Sequence, residues 1–154
     1  MAINKLAHYS VRTSALEASR EFYCKVLGLR VGFRPDFPFP GAWLYRGGDE
    51  AEYGVVHLIG IDRNAPAGLN EYLGDKPEEI LHGSAAVDHL AFSATDLPDM
   101  LRRLRAQGVA WRERNVPTLG LHQLFVEDPS GVTIELNFPA AEARAIEASG
   151  ASAA

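Results

Sequence analysis

The chain of 154 residues holds one cysteine, Cys24, so no disulfide can form within it. Cys24 falls in a helical stretch and reads as a small packed hydrophobe. No apolar run approaches the ~20 residues that a membrane-crossing helix needs. There is no basic excess: fifteen Lys and Arg against twenty Asp and Glu leave a net charge of −5, which argues against a nucleic-acid surface. The opening MAINKLAHYS lacks the apolar core of a signal peptide, so a cytoplasmic protein is expected. With 47% apolar residues, the composition is that of a globular protein, one domain or two small fused modules.

What is present is a repeat. LAHYSVRTSALEASREFYCKVLG (6–28) and VDHLAFSATDLPDMLRRLRAQG (87–108) both begin as an alternating strand with histidine third, His8 and His89. Both then enter a helix. Ser14 with Glu17 predicts a capping box for the first; Asp96 with Pro98 opens the second. Both helices stop at a glycine, Gly28 and Gly108. The second halves also match: WLYRGGDEAEYGVVHLIG and HQLFVEDPSGVTIELNF each read strand, turn, strand. The expected fold is α+β, two tandem βαβββ modules with curved mixed sheets around a metal cavity. Residues 1–60 form the first module, 61–86 a linker with room for one short helix, 87–138 the second module and 139–154 a flexible, Ala-rich tail.

His57 follows His8 by 49 positions, and Glu135 follows His89 by 46, so His57 and Glu135 occupy equivalent places in the last strand of each module. Alternation sets His8 beside Leu6, Ser10 and Arg12, His89 beside Val87, Ala91 and Ser93, and Glu135 beside Thr133 and Asn137. The more apolar face should pack on the helix, leaving the imidazoles and the carboxylate toward a cavity. Each alone would read as a satisfied core residue. Together, three imidazoles and a carboxylate suit one divalent metal, zinc, iron(II), nickel, cobalt or manganese.

These units, the HYSVRTSALEASREFYCKVLGL opening and the LFVEDPSGVTIEL close resemble the vicinal oxygen chelate superfamily, over nearly all of residues 5–138. Glyoxalase I, extradiol dioxygenases, methylmalonyl-CoA epimerase and the fosfomycin- and bleomycin-resistance proteins belong to it. The resemblance implies that His8, His89 and Glu135 are metal ligands and that His57 stands where glyoxalase I has a second glutamate ligand. It implies a metal acting as Lewis acid on a substrate with two adjacent oxygens, with Glu135 or His57 moving a proton. Arg12 matches a glutathione-contacting arginine of bacterial glyoxalase I, whereas Ile61 replaces an asparagine there. Two alternatives are an iron(II) extradiol dioxygenase, for which Phe125 replaces the expected tyrosine, and a non-catalytic binder like the bleomycin-resistance proteins.

Further candidate substrate contacts are Trp43 and Tyr45, which share a strand face and line either pocket or core, and Gln123 and Phe125, which share a face beside the Glu135 strand. His122 reads as a turn residue or a guard at the pocket mouth, and His82 as solvated. Arg102, Arg103 and Arg105 form the wet face of a helix. A symmetric homodimer is expected, since pairing modules leaves fewer open strand edges.

Overall fold

The computed structural model describes residues 6–47, 54–85 and 87–151. The expected turn after Gly47, and Tyr53 at the start of the following strand, lie outside the described residues. Two compact units emerge, 1–82 and 83–154. Among the described residues no helix is long and apolar enough to cross a membrane.

In the first unit, β1 (Tyr9–Thr13) leads into α1 (Leu16–Glu21), which continues as a π-helical turn over Phe22–Val26. There follow β2 (Arg30–Val31), β3 (Gly41–Tyr45) and β4 (Val56–Gly60). The sheet order is β1-β4-β3-β2, with β1 and β4 parallel and the other pairs antiparallel. Val11, Leu58 and Leu44 are buried on one face. α1 covers that face: Thr13 Oγ1 lies 3.3 Å from Ser19 Oγ, and Gly60 sits so near Leu16 that a Cβ there would come within 2.9 Å of its side chain. Ser10, Trp43 and His57 therefore point to the opposite face.

The second unit repeats this plan. β5 (Leu90–Ser93), α3 (Leu97–Ala106), β6 (Trp111–Val116), β7 (Leu121–Glu127) and β8 (Thr133–Pro139) give the sheet β5-β8-β7-β6, with β5 and β8 parallel. Leu97, Met100 and Leu104 of α3 are buried, as are Leu124, Ile134 and Leu136 of the sheet. Gly28 and Gly108 end the two helical segments at φ +75° and +64°, a backbone region that glycine adopts without strain. The repeat extends to strand register. Ser10 pairs with His57 and Ala91 with Glu135; Trp43 pairs with His57 and Phe125 with Glu135.

Three expectations are corrected, and the linker reading gains detail. No capping box forms at α1: Ala15 stands at the N-cap without a side-chain bond, its N–H donates to Thr13 Oγ1 at 3.0 Å, and Glu17 pairs with Arg20 instead. The stretch 61–86 carries the one short helix that the linker reading allowed, and residues 61–82 belong to the first unit. That helix is α2 (Ala67–Leu73), held because Arg12 donates to the carbonyls of Leu73 (2.8 Å) and Gly74 (2.9 Å), which a helix end leaves without partners. Residues 140–151, expected as a flexible tail, form α4 (Ala140–Ala151). Alanine favours helix, and Glu142 Oε2 accepts the Leu97 N–H at 2.6 Å, tying α4 to the start of α3. Finally, His122 is a buried residue of β7, not of a turn.

Candidate functional site

In the first unit the site begins with three stacked rings. His8, an exposed residue just before β1, lies over His57 with ring centroids 3.8 Å apart. His57 lies over Trp43, its cross-strand neighbour, at 4.0 Å and nearly parallel. Flat rings on adjacent strands stack this way because register and face coincide. His57 is only 8% exposed, and its Nε2 is buried with no hydrogen-bond partner among the described residues. Burial, and then the nearby charge of His8, push its pKa down to about 4, against the pull of a hydrogen bond with the Gly54 backbone. His57 is thus neutral at pH 7. The Gly54 bond takes the proton-bearing nitrogen, so Nε2 carries a bare lone pair.

Beyond Trp43 the aromatic surface continues through Phe37, which stacks on Phe39, while Tyr72 of α2 packs against both. Arg34 lies over Phe37 and Phe39, 4.9 and 5.3 Å from their ring centres, and donates to the Phe39 carbonyl. Of the other residues expected to contact substrate, Tyr45 is buried and donates its hydroxyl to the Phe33 carbonyl at 2.7 Å, and Arg12 is engaged with α2.

In the second unit the site is polar. His89 Nδ1 lies 2.7 Å from Asp88 Oδ1, and Nε2 lies 3.3 Å from Glu135 Oε2. Glu135 is buried, and its Oε1 accepts from Asn137 Nδ2 at 2.7 Å. Asn137 Oδ1 accepts from Gln123 Nε2 at 2.8 Å, and Gln123 Oε1 accepts from Arg114 Nη2 and Nε at 2.6 and 2.9 Å. Phe125 meets His89 edge-on at 6.0 Å, with Arg112 and Arg114 over its ring. A cleft of about 480 Å³ opens here, lined by Asp88, His89, Arg112, Glu113, Arg114, Phe125 and Thr133. His122 faces the other side of the sheet, bonded to Asn115 and Glu113, and has no place in the cleft.

The candidate ligands therefore come together as two pairs, His8 with His57 and His89 with Glu135. Among the described residues, no three His, Cys, Asp or Glu gather around one point within either unit. The His89–Glu135 pair has the spacing of two ligands of one divalent cation. An ionised Asp88 only accepts, so His89 donates through Nδ1 and its Nε2 lone pair faces the Glu135 carboxylate. Two acceptors 3.3 Å apart require a cation between them, a proton or a metal. Two N/O ligands of one tetrahedral ion stand about 3.3–3.4 Å apart. The carboxylate behind His89 is the usual support of a ligating imidazole, and the bare Nε2 of His57 is a second such donor.

Asp88, Asn137 and Arg114 escaped the sequence reading as members of the site. Asn137 shares the Glu135 face by alternation, and Asp88 is next in sequence to His89; both signals were available. Arg114 had none, because its place depends on the pairing of β6 with β7.

The chain is 29% identical over 140 residues to a lactoylglutathione lyase of Escherichia coli O157:H7, covering 86% of this chain and 90% of that protein. It is 28% identical over 138 residues to "Glyoxylase I 4" of Arabidopsis thaliana, covering 87% of this chain and 70% of that one. Its fold is that of TnmS3, an antibiotic binding protein from Streptomyces sp. CB03234, at a TM-score of 0.57 and 22% identity, covering 90% of this chain and 98% of that one. The doubled βαβββ plan, its shared register between units and a family model matching residues 5–136 agree: the chain belongs to the Glyoxalase/Bleomycin resistance protein/Dioxygenase superfamily.

Proposed function

We propose that the protein is a divalent-metal-dependent enzyme of glyoxalase type, a lyase or isomerase that moves a proton on a small substrate bearing two adjacent oxygens. The observation that carries this is the His89–Glu135 pair, two acceptor atoms held face to face by Asp88 on one side and Asn137 on the other. The likeness to lactoylglutathione lyase supports the reaction class. His8, His57, His89 and Glu135 would hold the ion. Zinc, iron(II), nickel, cobalt or manganese there supplies Lewis acidity, drawing charge from a substrate carbonyl.

The chain's own residues do the rest. A proton next to a carbonyl is taken by a base held in place, and two are available when released from the ion or lying next to it: the Glu135 carboxylate, and His57, which is neutral at pH 7. Trp43 and Phe125, at equivalent register positions, give the substrate apolar surface and limit water. Phe125 offers no hydrogen-bond donor, which disfavours an extradiol dioxygenase. The second reading is a non-catalytic binder, favoured by the aromatic surface of Phe37, Phe39, Trp43 and Tyr72.

The protein is expected to be cytoplasmic and homodimeric; a sedimentation mass near 16.8 kDa, that of one chain, would overturn the dimer. The function is tested by metal analysis of purified protein, then assay of the apo and reloaded forms on the adduct of an α-ketoaldehyde with a thiol. Metal-dependent turnover is the expected result. A metal-loaded protein that ignores such adducts but consumes oxygen with catechols would give the site to a dioxygenase. Tight binding of aromatic compounds with no turnover would make it a binder.

A further inference from the structure

The polar contacts at Glu135 form one line across three strands of the second sheet to the residues just before the fourth. It runs from Arg114 on β6 to Gln123 on β7, to Asn137 and Glu135 on β8, and to His89 and Asp88 before β5. An amide side chain can usually be turned over without cost, exchanging its oxygen and nitrogen. Here it cannot. Arg114 only donates, so Gln123 must present its oxygen to Arg114 and its NH₂ to Asn137. Asn137 then presents its oxygen to Gln123 and its NH₂ to Glu135. Starting from the other end, an ionised Glu135 only accepts, and it demands the same order. Both ends fix one polarity, and every donor points toward Glu135. Gln123 and Glu135 are also buried, at 5% and 6% exposure, where an unmatched polar atom is costly.

We propose that Arg114, Gln123 and Asn137 are positioning residues that make Glu135 a one-oxygen ligand. Their relay occupies Oε1 and aims Oε2 at His89. This rests on the metal assignment above. Glu135 cannot then swing to bind through both oxygens, and its rotamer is set before the ion arrives. Gln123, on the substrate-facing side of its strand, serves the carboxylate rather than the substrate.

Two replacements test the relay. Gln123→Glu keeps and strengthens the contact to Arg114 but removes the donor to Asn137. The Asn137 amide then turns its NH₂ toward the introduced carboxylate and presents its oxygen to Glu135, repelling it. Added negative charge by itself would tighten metal binding, so the relay predicts the opposite sign. The expected result in calorimetric titration of the full chain with Zn²⁺ or Ni²⁺ is an affinity lower by about 10–100-fold, as for outer partners of metal ligands, with thermal stability kept or raised. Arg114→Ala, at an exposed position, should lower affinity less, by about 3–10-fold, without loss of fold. The Asn137 side-chain NH₂ resonances should shift in both variants. If wild type and both variants bind equally tightly, or Gln123→Glu binds more tightly, the relay has no such role. If wild-type protein binds neither ion, the metal assignment falls and takes this one with it.

Discussion

At the same register position the first sheet carries His57 and the second Glu135, and the two are held by different forces. His57 is clamped by ring stacking between His8 and Trp43, with one nitrogen unpaired among the described residues. Glu135 is held by hydrogen bonds from Asn137 and the residues behind it, with Phe125 at the place of Trp43. Stacking is tolerant of direction and excludes water; it suits a neutral base. Hydrogen bonding is directional and fixes which oxygen of a carboxylate faces the site. One fold, used twice, therefore offers two chemically distinct groups without any change of backbone plan. Duplication supplies the positions, and the neighbours on adjacent strands decide what each position can do.

The largest test of this contrast is Glu135→Ala. It removes the directional half, and metal affinity should fall by more than about 100-fold, beyond the range for outer partners, with activity lost. Retained metal and turnover would show that the second unit does not hold the ion. His57→Ala probes the stacked half. As a ligand, His57 should take metal affinity and activity down together; full metal loading with a slow chemical step would make it an acid–base residue only. Metal content after dialysis, measured beside kcat, separates the two.

The next effect is one of pH in the metal-free protein. His57 has a pKa of about 4 when folded against 6.5 otherwise. Between those values the unfolded chain takes up a proton that the folded chain refuses. Stability is therefore full above pH 6.5 and lost as the pH falls toward 4, by about 2–3 kcal/mol. Denaturant titrations with chelator at pH 7 and 4.5 should show this drop, and it should shrink in His57→Leu. An equal drop in the variant would break the link. The smallest effect concerns how the two crossover helices start. α3 takes a carboxylate from α4, whereas α1 relies on Thr13 beside it. Glu142→Ala should cost about 1 kcal/mol, read as a lower denaturation midpoint.

The repeat was legible because both signals that carry it are local: alternation in the strands, and glycine after each helix. The equivalence of His57 and Glu135 followed from their spacing to His8 and His89, and their sheet face from alternation. What escaped depends on partners far along the chain. Arg12 was expected to contact substrate, but its guanidinium is engaged by the carbonyls of Leu73 and Gly74 at the end of α2. Residues 140–151 looked loose because nothing in them names Leu97 as the group that Glu142 caps. His122 and Gln123 are adjacent in sequence, yet the strand sends one to the helix side and the other to Glu135, and only the end of the preceding turn decides which.

The strand β6 has one more consequence. It closes its sheet on one side, six residues long, with Arg112, Glu113, Arg114 and Asn115 all exposed, while β2, at the corresponding place in the first unit, is only two residues long. A sheet's last strand offers unpaired backbone groups to any passing chain. One edge here is too short to template a fibril, and the other would have to strip water from three charges to do so. The same arginine that begins the line to Glu135 thus also sets charge on the open edge of its sheet.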